Sequence, residues 1–132
     1  MKFGPLVAFL GGNSDDGFLG EVRTEANRWV QLAAERGNIA NLYLEGPKHP
    51  VQIQPAEIER LLRAFLTGQI PDAALIYILE VLSLELSFEF APPDLQDIVR
   101  DLVDRESPEI DAPAARAALA QLARLPPFPA GV

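Results

Sequence analysis

The sequence predicts an α+β fold, mostly helical, with a small N-terminal strand/hairpin element packed on a C-terminal helical bundle. Three observations carry this expectation. Residues 55–125 hold successive apolar stripes at helical spacing, separated by Pro and Gly. Residues 1–54 hold short runs of strand character, bounded by turn residues, on either side of one helix-period segment. Apolar residues make up 48% of the 132-residue chain, enough for a real core at a length that suits one domain. The expected organisation is a single domain over 1–132. It comprises a strand–helix–hairpin part (1–54), a helical part (55–125) and a Pro-rich tail (126–132).

Each element follows from local chemistry. The apolar run from Phe3 to Leu10 reads as a short buried strand, with Pro5 near its start or on an edge. Gly11-Gly12-Asn13-Ser14 is a turn, and Asp15 or Asp16 caps a helix over about 17–36. Phe18, Val22, Ala26, Trp29, Val30 and Ala33 give that helix one apolar face, and Gly37 suits its stop. Residues 39–45 read as a strand that forms a hairpin with residues 51–54 across the turn Gly46-Pro47-Lys48-His49-Pro50. Pro55 suits a first helical position and Gly68 an end. Ile58, Leu61, Leu62, Phe65 and Leu66 form the stripe between them. Pro71 starts a helix to about Leu84 that is apolar almost all round, which predicts burial at the centre of the core. Residues 84–90 alternate strictly, as a short strand or an extended link pinning Phe88 and Phe90 would. Pro92-Pro93 opens a helix to about Arg105, and Pro113 another to about Arg124, whose Ala content allows close helix approach.

Charge is distributed unevenly. Residues 1–66 carry seven Lys and Arg against eight Asp and Glu, a net of −1, whereas residues 67–132 carry four Arg against eleven acids, a net of −7. In the helix over 93–105, Leu95, Ile98, Val99, Leu102 and Val103 share one side. At about 100° per residue, Asp94, Asp97, Asp101 and Asp104 fall nearly opposite. Glu85, Glu89, Glu106, Glu109 and Asp111 extend the excess beyond the helix. Two readings stand side by side. The stripe is the wet face of an amphipathic helix, in which Arg100 pairs with Asp104 and Asp97, and Arg105 with Asp101. Alternatively, Glu85, Glu89, Asp94, Asp97, Asp101, Asp104, Glu109 and Asp111 form a surface that meets a basic partner, since an acidic face speeds encounter with cations.

The residue inventory excludes several chemistries. The chain has no Cys and one His, so it offers no disulfide, no thiolate nucleophile and no zinc site of ordinary type. Lack of Cys suits a cytoplasmic protein. His49 lies in a Pro-rich turn beside Lys48 and reads as a loop residue rather than a base. Asn13 to Gly17 is superficially like a calcium loop, but Gly17 and Phe18 take positions where a ligand and a Gly belong. Gly11-Gly12 lacks the Lys-Ser/Thr of a phosphate loop. Glu80 is the best acid–base or Mg²⁺ candidate, on the narrow polar wedge of its apolar helix with Asp72 and Ser83. Partial exposure or a hydrogen bond is the preferred account of it. No catalytic residue, metal or cofactor is therefore assigned. Arg23, Arg28, Arg36, Lys48, Arg60 and Arg63 are scattered and locally offset by Glu, so no nucleic-acid surface is expected. The start of the chain has a single Lys and a broken apolar run, unlike a signal peptide, and no apolar stretch reaches the roughly 20 residues of a membrane span.

One resemblance adds to this. Over residues 51–122, Leu61-Leu62-x-x-Phe65-Leu66-x-Gly68-x-Ile70, then Leu75, Leu82-x-Leu84, Phe88-Glu89-Phe90 and Pro108-Glu109-Ile110-Asp111-x-Pro113 follow one another. This pattern resembles the small acidic immunity-type proteins encoded beside bacterial polymorphic toxins. The resemblance implies an inhibitor that binds and blocks a cognate toxin, often through an acidic face, and it transfers no particular functional residue. The leading expectation is a non-enzymatic acidic protein-binding module. The alternative is a structural or adaptor subunit acting through homo- or hetero-oligomerisation. The expected partner is a basic protein, and the expected state of the chain itself is a monomer or homodimer.

Overall fold

A computed structural model describes residues 1–13, 16–36, 44–103 and 110–125. Among these the protein is α+β and mostly helical, as expected. The elements are α1 (Phe3–Leu10), α2 (Asp16–Arg36), β1 (Val51–Ile53), α3 (Pro55–Leu66), α4 (Asp72–Leu84), β2 (Phe88–Phe90), α5 (Asp94–Val103) and α6 (Ala112–Arg124).

The first segment departs from expectation: Phe3–Leu10 is a helix, not a strand. Its buried residues are Phe3, Leu6, Phe9 and Leu10, which share one side of a helix. A strand over the same residues would turn Leu6 and Leu10 to the face opposite Phe3 and Phe9. Pro5 falls in the first turn, where no intrahelical N–H is needed. The helix stops by donating Asn13 N–H to the Ala8 carbonyl (2.9 Å) and Gly12 N–H to Phe9 (3.0 Å), with Gly12 at φ +101°. This is a Schellman end, whose left-handed residue favours Gly. α3 closes in the same way. Gln69 N–H donates to Ala64 (2.8 Å) and Gly68 N–H to Phe65 (3.1 Å), with Gly68 at φ +84°.

The hairpin is also replaced. β1 pairs in parallel with β2, in the register Val51↔Phe88, Gln52↔Glu89 and Ile53↔Phe90. A parallel pair needs a crossover, and α3 and α4 supply it. Glu45, the end of the expected first hairpin strand, instead makes a parallel bridge to Lys2. Residues 39–43 of that strand lie outside the described residues, as do Asp15 and the Pro-rich tail 126–132.

The helical part matches its expected punctuation. Pro55 opens α3, and the Glu57 carboxylate accepts the Gln54 N–H at 3.2 Å. α3 packs on α4, α4 on α5, α5 on α6, and α6 back on α3, so the four helices close a ring. α4 also carries α2 on its outer side, while α1 lies on α3. Ala74, Leu75, Tyr77, Ile78, Leu79, Val81 and Leu82 of α4 are all buried, which makes it the central helix. Ala115 and Ala118 are the small buried residues through which α6 approaches its neighbours. No polar or charged residue is buried among the described residues, so the core is held by apolar contact. Trp29 packs half-buried against that core, with its ring edge-on to Tyr77 at 5.6 Å.

Candidate functional site

The acidic residues are displayed mainly by α5. Leu95, Ile98, Val99 and Leu102 face α4 and α6 and are buried, and this orients the rest of the helix. Asp94, Asp97 and Asp101 are consequently exposed. The ion pairs between described residues are the Met1 amino group with Glu25, and Glu59 with Arg63. The expected pairing of Arg100 with Asp97 is therefore not formed. Exposed pairs are worth little in water, so spacing alone does not ensure them: Glu59 and Arg63, four apart with the longer Glu side chain, pair, whereas Asp97 and Arg100, three apart, do not. Asp104 and Arg105, the other expected pairings, lie outside the described residues. Three like charges thus stand within two turns of one helix without a bound cation from the described protein.

The remaining site candidates divide. Glu89 is exposed on β2, one strand position from buried Phe88. Glu85 is half-buried at the end of α4 and accepts a hydrogen bond from the Ser87 hydroxyl at 3.2 Å. Asp111 is the N-cap of α6, its Oδ1 accepting the Ala114 N–H at 2.9 Å. Its first duty is structural, since capping satisfies an otherwise orphaned donor. Glu109 lies outside the described residues. Beside Glu85 are two exposed apolar side chains, Leu84 (66% exposed) and Leu86 (99%).

The chemistry-bearing residues considered for catalysis are dispersed. His49 is exposed, its Nδ1 3.2 Å from the Pro50 carbonyl and its ring edge-on to Phe3. Glu80 is half-buried on α4. Glu25 is joined by the Met1 amino group and by the Tyr77 hydroxyl at 3.3 Å, which ties the N-terminus to α2 and α4. Among the described residues no group of three or more Asp, Glu or His is placed to hold a metal ion. Nor is any helix of the described residues long and apolar enough to cross a membrane.

A second charged region was not apparent in the sequence. An open cleft of about 520 Å³ lies between the C-terminal ends of α1 and α3, lined by Phe9, Gly12, Arg60, Arg63, Ala64, Thr67 and Gln69. Arg60 Nη1 donates to the Leu10 carbonyl at 2.8 Å. Arg63 donates through Nε (3.0 Å) and Nη2 (2.8 Å) to Glu59 Oε1. Arg23 reaches the Gln69 carbonyl from α2 at 3.4 Å. Arginines that looked scattered therefore converge. The signal available was the spacing of Arg60 and Arg63, three apart and so on one face of α3.

With this geometry in place, the chain was compared with protein-family models, with curated proteins and with solved structures, and none of the three gives a match. The functional reading therefore rests on the chain's own residues.

Proposed function

We propose that this protein is a non-enzymatic acidic protein-binding module, of the immunity type, that binds and blocks a basic toxin in the bacterial cytoplasm. The observation that carries the reading is the exposed row Asp94, Asp97 and Asp101 on α5, which makes no ion pair among the described residues, together with exposed Glu89 on β2. Carboxylates left without local counter-charges project a field into solvent that accelerates encounter with a cationic surface. Glu85 and Asp111 belong to the proposed set from the sequence and are partly committed to local hydrogen bonds. Asp104 and Glu109 complete the proposed set from the sequence. The apolar core supports the row by fixing the orientation of α5.

The test starts from the basic protein that co-purifies from the native host or is encoded by the neighbouring gene. Association with that protein is measured by stopped flow across a salt series. Asp94→Lys, Asp97→Lys and Asp101→Lys together should slow association and flatten its salt dependence. An unchanged rate in the triple variant would remove α5 from the interface.

A second reading is favoured by Leu84 and Leu86. Two exposed leucines flanking Glu85 suit an adaptor subunit that docks through apolar side chains. Light scattering after size-exclusion chromatography separates the two. A homodimer dissociated by Leu86→Ser supports docking through this turn, and a monomer at high concentration argues against it.

A further inference from the structure

We propose that the cleft between α1 and α3 binds a small monoanionic carboxylate carrying an apolar body, through Arg60. The cleft volume, about 520 Å³, falls in the range of roughly 300–1,000 Å³ typical of small-ligand sites. Its floor is apolar: Phe9 and Ala64 are both buried. Among the described residues its polar lining is cationic or neutral, with Arg60, Arg63, Thr67 and Gln69 and no acidic residue.

The two arginines are not equivalent. The Nε and Nη2 of Arg63 are committed to Glu59, whose charge offsets it. Arg60 has no carboxylate partner among the described residues. It uses Nη1 on the Leu10 carbonyl, which anchors the guanidinium and leaves the Nε–Nη2 edge for a bidentate oxyanion. Gly12 lies beside that side chain and adds no side chain of its own to the cleft. A Cβ on Gly12 would lie 3.6 Å from Arg60 Nε and 3.9 Å from its Cζ. The side chain of Gln69 is exposed at the rim and can donate from its amide.

The helix ends decide the charge of the ligand. Both α1 and α3 present their C-termini to the cleft, and each carries roughly half a negative charge. This partial charge offsets part of the guanidinium charge and disfavours a phosphate dianion. A single carboxylate fits the remaining positive charge, and the apolar floor takes the rest of the molecule. Because the arginines are solvent-exposed, binding should be weak and salt-sensitive.

The probe is benzoate, titrated into the ¹⁵N-labelled full-length protein at constant ionic strength, with chloride and inorganic phosphate titrated in parallel. The expected result is a saturable shift of the Gly12, Thr67 and Gln69 amides with benzoate, and a weaker response to phosphate. Arg60→Gln should weaken binding about tenfold, and Arg60→Lys by less. Gln69→Glu alters an exposed side chain without touching the Leu10 anchor. It should also weaken binding, which guards against Arg60→Gln acting only through loss of fold. A flat benzoate titration, unchanged affinity in both Arg60→Gln and Gln69→Glu, or phosphate binding as tightly as benzoate would overturn the proposal. The α5 triple variant should bind benzoate as the parent does, so this site and the proposed protein interface fail or stand independently.

Discussion

The α5 face and the α1–α3 cleft carry opposite charge, and they hold it in opposite ways. Asp94, Asp97 and Asp101 project from a helix side with no ion pair among the described residues. Arg60, Arg63 and Arg23 are each tied to a carbonyl or a carboxylate by a directed hydrogen bond. Free charges act at a distance and set encounter rates, whereas anchored charges act at contact and set geometry. The difference teaches that the net charge of a segment says little about which residues can recognise a particular shape. The acidic half dominates the far field, yet the positioned donors lie in the nearly neutral half.

That contrast can be broken from below. Leu95 is fully buried beneath α5. Leu95→Ala should cost about 2–5 kcal/mol in chemical denaturation, because the cavity adds to the lost transfer energy. It should loosen the acidic row more than the cleft, as amide exchange on α5 and α3 would report. The Asp94/Asp97/Asp101 reversal to Lys comes next. A steered association should slow by roughly tenfold to a hundredfold at low salt, while the melting temperature moves little. Asp111→Ala should cost about 1 kcal/mol of stability, the usual penalty for losing an N-cap, and leave the partner's association rate nearly unchanged. That outcome would assign Asp111 to the architecture of α6. A slowed association without a stability loss would return it to the interface. The smallest effect is expected at Glu59→Gln. The Glu59–Arg63 pair is exposed and spaced i,i+4, so its loss should cost only about 0.3–0.5 kcal/mol. The cleft would gain positive charge, and benzoate should bind somewhat tighter in the same titration.

The sequence makes the helical part readable because its boundaries are chemical. Pro55, Gly68, Pro71 and Pro113 mark the ends of α3, α4 and α6, and the all-round apolar pattern of 75–82 locates the central helix. Phe3–Leu10 misleads because eight mostly apolar residues satisfy both periods; the choice is made by Leu6 and Leu10 reaching the core beside Phe3 and Phe9. The turn chemistry around Gly46-Pro47 suggests a local hairpin, whereas the actual partner of Val51–Ile53 lies beyond two helices. No local signal encodes such a pairing. The exposure of Asp94, Asp97 and Asp101 follows directly from the helical wheel. The absence of the Arg100–Asp97 pair does not, since it depends on solvent competition rather than spacing. The cleft was hidden for the opposite reason: Arg60 acquires meaning only when the end of α1 is placed against α3.

The parallel pairing of β1 with β2 also bears on the order in which the molecule can assemble. Val51 and Phe88 meet only after the intervening chain has turned back on itself through α3 and α4. Closing that loop before the two helices dock would lose chain entropy for a ladder of only three residues on each strand. Chain entropy therefore favours docking of α3 on α4 before the strands pair, and the three-residue ladder then closes over the ends of the helical pair.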